Sequence, residues 1–183
     1  MTTFPQTYHE KVTELLLSQP EALTKVKDPE KIITSTLELL SHFLKLNNGR
    51  VFLWDSQSSH LTIRYSHGLS LQQINAGKYE ISEGVTGKAF GSRHAFVIKN
   101  TDYEPLFKGK VSFTKDSAKL HNSYIAVPIT ADGYDLGILA VDCNNTLDGD
   151  IEAYALILEK VASMLGKIIH HYELDEFNSS YVA

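Results

Sequence analysis

The stretch Glu83-Gly84-Val85-Thr86-Gly87-Lys88 offers the richest chemistry in the sequence. Read as the start of a short helix, it presents unpaired backbone N–H groups and a partial positive charge. Those two features hold a carboxylate, nitrate or phosphate. Its glycines either let a ligand approach the backbone or serve the geometry of a turn. The spacing is too short for a phosphate-binding P-loop, and neither Ser nor Thr follows Lys88. Strand parity supplies a second set of residues. Ile125, Val127 and Ile129 share one face of a strand, and Tyr124, Ala126 and Pro128 share the other. The aliphatic set suits packing under helices. Tyr124 with Ala126 leaves room and a hydroxyl, which fits either a cavity wall or a filled core with a locally bonded phenol. Arg64 could grip an anion with both arms of its guanidinium, or stand in solvent on its strand. Tyr79 and Trp54 are candidates for the same cavity, with core packing the stronger reading of Trp54. The candidate ligand residues are thus Arg64, Tyr79, Gly84, Val85, Thr86, Tyr124 and Ala126.

No comparable set points to catalysis or to a metal. His170 and His171 are adjacent on a helix and do not face one point. His60 and His67 lie on one hairpin without assignable partners for a metal ion. Cys143 is the one cysteine and has no nearby base, so it reads as an inert buried thiol suited to a reducing compartment. No nucleophile, base and orienting acid assemble. Neither an enzyme, nor a cofactor, nor a metal is expected.

Several elements must position these residues. Val12, Leu15 and Leu16 mark a weak helix that Pro20 ends. Asp28-Pro29 starts a stronger one, with Ile32, Ile33, Thr36, Leu37, Leu40, Phe43 and Leu44 at helical spacing and Asn47-Asn48-Gly49 as its stop. Strands follow at 51–54 and 61–65 around a hairpin turn at 55–59. After a loop at Ser66-His67-Gly68-Leu69 comes a short strand at 79–81. The segment 82–90 is predicted to be a short capped helix, and 95–99 a strand. Residues 100–122 form a long polar loop with Pro105 and Gly109, a length typical of functional segments. Two strands flank a turn at Ala131-Asp132-Gly133-Tyr134. The last helix is predicted over about 150–172. Its seam is Ile151, Tyr154, Leu158, Val161, Leu165, Ile168 and Tyr172, with Ala155, Ala162 and Ile169 along a second edge. One edge could pack on the sheet and the other on a second copy of the chain. Short turns imply antiparallel pairing, and strands this apolar need cover on both faces.

Composition sets the outer bounds. At 43% hydrophobic and 21% charged residues, the chain is an ordered globular domain rather than a disordered one. A net charge of -5 argues against gripping a nucleic-acid backbone. The N-terminus lacks the basic start and apolar core of a signal peptide, and runs such as YIAVPI are too short to span a bilayer. A cytoplasmic protein, bound neither to membrane nor directly to nucleic acid, is expected.

Five segments in order carry a family resemblance: Val51-Phe52-Leu53-Trp54-Asp55, Ser66-His67-Gly68-Leu69, 82–90, Ser123-Tyr124-Ile125-Ala126-Val127-Pro128-Ile129, and Leu136-Gly137-Ile138-Leu139-Ala140-Val141. Through them the chain resembles a GAF domain, most closely the N-terminal sensor domains of nitrogen-fixation-type, sigma-54-dependent activators. The resemblance implies an α+β fold. A central six-stranded antiparallel sheet would carry terminal helices on one face and a short helix plus a long loop on the other. Residues 28–172 would form the domain, with a helical extension at 1–27 and a polar tail or linker at 173–183. It implies a sensory role: a small metabolite, anions included, is bound and the event is relayed to an output domain or partner through terminal helices that also pair two chains. A ligand-free dimerisation module and a small cysteine-dependent reductase are the other readings. The cyclic-nucleotide signature of some GAF domains is absent. A bilin is disfavoured by the place of Cys143, and the several cysteines of the GAF-type sulfoxide reductases are missing.

Overall fold

The structure is a computed structural model that describes residues 28–111, 122–144 and 151–180. The expected helix around Val12, Leu15 and Leu16 lies outside the described residues, as does part of the long loop.

Helix α1 (Pro29–Leu44) begins as its sequence dictates. The Asp28 side chain accepts a hydrogen bond from the Lys31 N–H, and proline occupies the first turn. It stops earlier than Asn47-Asn48-Gly49. Lys45 takes the left-handed conformation, which turns the apolar Leu46 into the core. Asn47–Asp55 then form strand β1, and Asn48, with φ of 51°, sits at a bulge there instead of at a helix end. Strand β2 (His60–Ser66) completes the first hairpin. A helix that the sequence reading did not anticipate, α2 (Leu71–Ala76), follows. Ser70 and Gln73 cap it reciprocally. Strand β3 (Lys78–Tyr79), helix α3 (Gly84–Ser92) and strand β4 (Phe96–Ile98) come next. The expected cap of α3 does not form. Glu83 occupies the cap position without a side-chain bond to the helix, because its carboxylate turns back to accept the Glu80 N–H.

Strands β5 (Asn122–Ala131) and β6 (Tyr134–Asn144) pair through a tight turn at Asp132 and Gly133, both at positive φ. That is the geometry an Asp-Gly hairpin favours. The sheet has six antiparallel strands in the order β3-β2-β1-β6-β5-β4. Helix α4 (Ile151–Ser180) closes the domain and runs past Tyr172, through a segment with neither glycine nor proline to stop it.

Two cores flank the sheet. On one face α1 and α4 cover Val51, Ile125, Val127, Ile129, Leu139 and Val141. On the other, α3 and the loop after β4 cover Phe52, Leu61, Tyr79, Tyr124, Ala126, Ile138 and Ala140. Most of both edges of α4 is buried inside this one chain. Ala155, Ala162 and Ile169 are buried together with the seam from Ile151 to Ile168, because α4 meets α1 as well as the sheet, while the seam residue Tyr172 is exposed. No helix among the described residues is long and apolar enough to cross a membrane.

Candidate functional site

The face beneath α3 is apolar except for one cluster. Two bulges place it there. The register of β1 shifts between Asn47 and Arg50 against β6, and between Val51 and Phe52 against β2. Arg50 and Phe52 therefore oppose Ala140 and Ile138 on the face away from the long helices. Arg50 is only 3% exposed. Its Nη1 and Nη2 donate to the two carboxylate oxygens of Asp142 at 3.0 and 2.9 Å, and Nη1 also donates to the Asn48 carbonyl oxygen at 2.7 Å. Asn48 Nδ2 supports Asp142 from the side at 3.1 Å. Burial works against the charged guanidinium, but Asp142 more than offsets it, and Arg50 stays protonated.

Tyr124 links this pair to α3. Its ring lies 5.2 Å from the Arg50 guanidinium carbon, and its hydroxyl shares a 2.8 Å hydrogen bond with Thr86 Oγ1. Phe107, from the loop after β4, meets the same ring edge-on at 5.2 Å. Tyr79 packs edge-on against Phe52. Burial pushes both phenols above their usual range, so both remain neutral.

The loop is pinned at several points. Lys110 pairs with Glu83, donates to the Lys78 carbonyl oxygen at 2.7 Å and stands 4.8 Å over the Tyr79 ring. Gln73 of α2 donates to the Val111 carbonyl, and the Val111 side chain is buried beneath it. The Lys110 hydrogen bond draws the Glu83 carboxyl below the usual range.

The expected residues separate into two groups. Tyr79, Gly84, Val85, Thr86, Tyr124 and Ala126 are all buried, and all but the two α3 residues Gly84 and Thr86 belong to the apolar cluster itself. Arg64 is exposed: Val51 pairs with Tyr65 and Phe52 with Ile63, so the register passes it over. The glycines of α3 have uses within the chain. Gly84 has φ of 61° and faces Leu106 and Lys108, while a Cβ on Gly87 would stand 2.1 Å from the Glu80 carbonyl oxygen. Trp54 is half-buried and stacks on Phe90 against the apolar cluster. Sequence reading missed Arg50, Asp142 and Phe107. One signal was present: Asp142 shares strand parity with the apolar Ile138 and Ala140, so it calls for a buried cation.

Cys143 faces the long helices. Burial, with Asp142 adding to it, pushes its thiol up to about 12, far from the thiolate a nucleophile needs. Among the described residues, no three His, Cys, Asp or Glu side chains gather in a way that could hold a metal ion.

A six-stranded antiparallel sheet with long helices on one face, and a short helix and loop over a polar cluster on the other, is an α+β layout. The GAF domain model matches residues 28–169, and the chain belongs to the GAF domain family. It is 29% identical over 151 residues to a Nif-specific regulatory protein of Herbaspirillum seropedicae, covering 79% of this chain and 27% of that protein. With the nitrogen fixation protein VnfA of Azotobacter vinelandii it shares 27% over 156 residues, 82% of this chain and 30% of that one. The chain therefore spans less than a third of the length of these curated relatives. Among solved structures, the GAF domain of A. aeolicus nlh2 superposes with a TM-score of 0.72 at 19% identity, over 90% of this chain and 97% of that one. The free methionine-R-sulfoxide reductase of Neisseria meningitidis superposes with 0.74 at 20% identity, over 96% and 97%. At these identities the structures establish the fold alone.

Proposed function

We propose that this domain is a sensor that binds a small anionic metabolite between the sheet and α3. The loop through residues 104–111 acts as its cover. The carrying observation is the polar cluster Arg50, Asp142, Tyr124 and Thr86 inside an otherwise apolar interior. An apolar replacement of a buried ion pair is often more stabilising than the pair. Charge kept in such a place therefore suits recognition better than packing. Tyr79, Gly84, Val85, Thr86, Tyr124 and Ala126 belong to the proposed site, with Arg50 taking the part first expected of Arg64.

Binding requires the loop to move, since Phe107 and Val111 now cover Tyr124 and its neighbours. The strands under the site have two faces. Tyr124 and Ala126 meet the ligand side, and Ile125, Val127 and Ile129 lie under α4. A shift in β5 thus reaches α1 and α4, which carry the signal to an output domain or partner. The effect requires a ligand that binds one helix arrangement better than the other. A homodimer through the terminal helices belongs to the same reading, and the exposed Leu156 and Tyr172 on α4 offer it contact area. So does a cytoplasmic location, where a reducing environment suits the free Cys143. Transcription control as the output rests on the named regulators that the chain resembles.

Calorimetry and thermal-shift screening of 2-oxo acids, nitrate, amino acids and nucleotides test the proposal. A binder that raises the melting temperature and alters Phe107 supports it. A dimer by light scattering that responds to no metabolite supports the scaffold alternative. The reductase alternative meets a specific obstacle in the buried thiol of Cys143.

A further inference from the structure

The Arg50 guanidinium has five N–H bonds in one plane. Asp142 takes the inner pair on Nη1 and Nη2, and the Asn48 carbonyl takes the second N–H of Nη1. The two that remain, on Nε and on the outer side of Nη2, lie next to each other along a single edge. Nε is buried without a hydrogen-bond partner. A buried donor in that state is costly, and an acceptor on a ligand would relieve the cost. The Tyr124 hydroxyl beside the guanidinium is bonded to Thr86 and interacts with Arg50 as well, while Nε stays without a partner.

We infer that the Nε–Nη2 edge of Arg50 receives a carboxylate group of the ligand, one oxygen on each nitrogen. This inference rests on the ligand-binding reading above and names the chemistry of that site. The fork of a guanidinium matches the spacing of two carboxylate oxygens, which a point charge such as lysine does not. Asp142 does the positioning: by holding the opposite edge, it fixes the plane so that the free edge faces the interior instead of solvent. Arg50 and Asp142 cancel in charge, so the incoming carboxylate adds one negative charge. One source of positive potential lies close by, the buried first turn of α3 at Gly84 to Thr86, tied to Tyr124 through Thr86. An amide in place of the carboxylate offers one acceptor oxygen and sets its own N–H groups against a donor.

The test uses the full chain and the Nε–H resonances of its three arginines, Arg50, Arg64 and Arg93. The probes are acetate, propionate, succinate and glutarate, each against its primary amide. At least one carboxylate shifts the Arg50 Nε–H to a saturating end point while Arg64 and Arg93 stay in place. Its amide binds at least about tenfold more weakly. Arg50→Lys keeps a cation beside Asp142 but loses the fork, and it weakens that carboxylate by about tenfold or more. Should that variant not fold, the Nε–H shift in the natural chain decides alone. A carboxylate that binds by calorimetry while the Arg50 Nε–H stays put overturns the inference and leaves the sensor reading intact. An amide that binds as well as its acid has the same consequence. If no carboxylate binds, the inference is overturned, and the amino acid and nucleotide screens then decide whether the sensor reading survives.

Discussion

Arg50 and Asp142 bring opposite charges into a region otherwise built from Phe52, Val85, Ala126 and Ile138. Removing one partner strands the other. Asp142→Ala is therefore expected to destabilise the domain by about 3–5 kcal/mol in denaturant titration, whereas the double change Arg50→Met with Asp142→Leu lies near neutral. A double variant that loses the sum of the two single losses would show that the pair is not coupled. Glu83 behaves differently because it is partly exposed. Lys110 depresses its carboxyl below the ordinary value of 4.5, so the latch contributes fully above that value and is lost as pH falls through the depressed one. Exchange protection of the 104–111 amides is expected to hold level at neutral pH and to fall in acid below 4.5. Lys110→Met should abolish that acid transition at a stability cost under about 1 kcal/mol. Cys143 is expected to ignore a thiol reagent until the domain unfolds, and rapid labelling of the folded chain would revive the reductase reading. At this scale the sequence was legible for Tyr124 and Thr86, whose neighbours keep a regular period. It was not legible for Arg50 and Arg64. A bulge on each flank of Val51 changes which arginine faces inward, and nothing in residue type marks such a bulge.

The elements themselves were mostly written in local pattern. The apolar alternation of 122–131 and 134–144 fixed the two long strands, and Asp132-Gly133 fixed their turn. Boundaries that depend on tertiary demand were not. Helix α1 ends at Lys45 because Leu46 is needed in the core, although Gly49 is the better stop signal by type. Helix α2 was missed because its six residues carry too little periodicity, even though Ser70 and Gln73 spell out its cap. The docking of α4 depends on one close approach, since a Cβ on Gly166 would stand 2.5 Å from the Thr130 carbonyl oxygen. Gly166→Ala is expected to push the helix off β5 and cost about 1–3 kcal/mol despite the better helix propensity of alanine. An unchanged or raised melting temperature would mean that the helix sits farther from the sheet than described.

On the scale of the whole molecule, the sheet separates two tasks. One face is committed to long helices, and the other to a charged cluster under a pinned loop. The α+β layout was legible because strand order, turn length and helix period all agree. The contents of the loop-covered side were not, because they depend on residues far apart in sequence, such as Arg50 with Asp142 and Tyr124 with Thr86. Which surface buries each edge of α4 was not legible for a related reason. A helical face shows that it must be buried, not which surface buries it. The central claim is that the interior between the sheet and α3 admits a small molecule. The most direct measurement equilibrates the folded chain with a low-molecular-mass cell extract, removes unbound material, and identifies by mass spectrometry what is released on denaturation. The expected result is a retained compound that also slows amide exchange at 104–111 when added back pure. A chain that retains nothing, and whose loop exchange is unchanged by the extract, would contradict it.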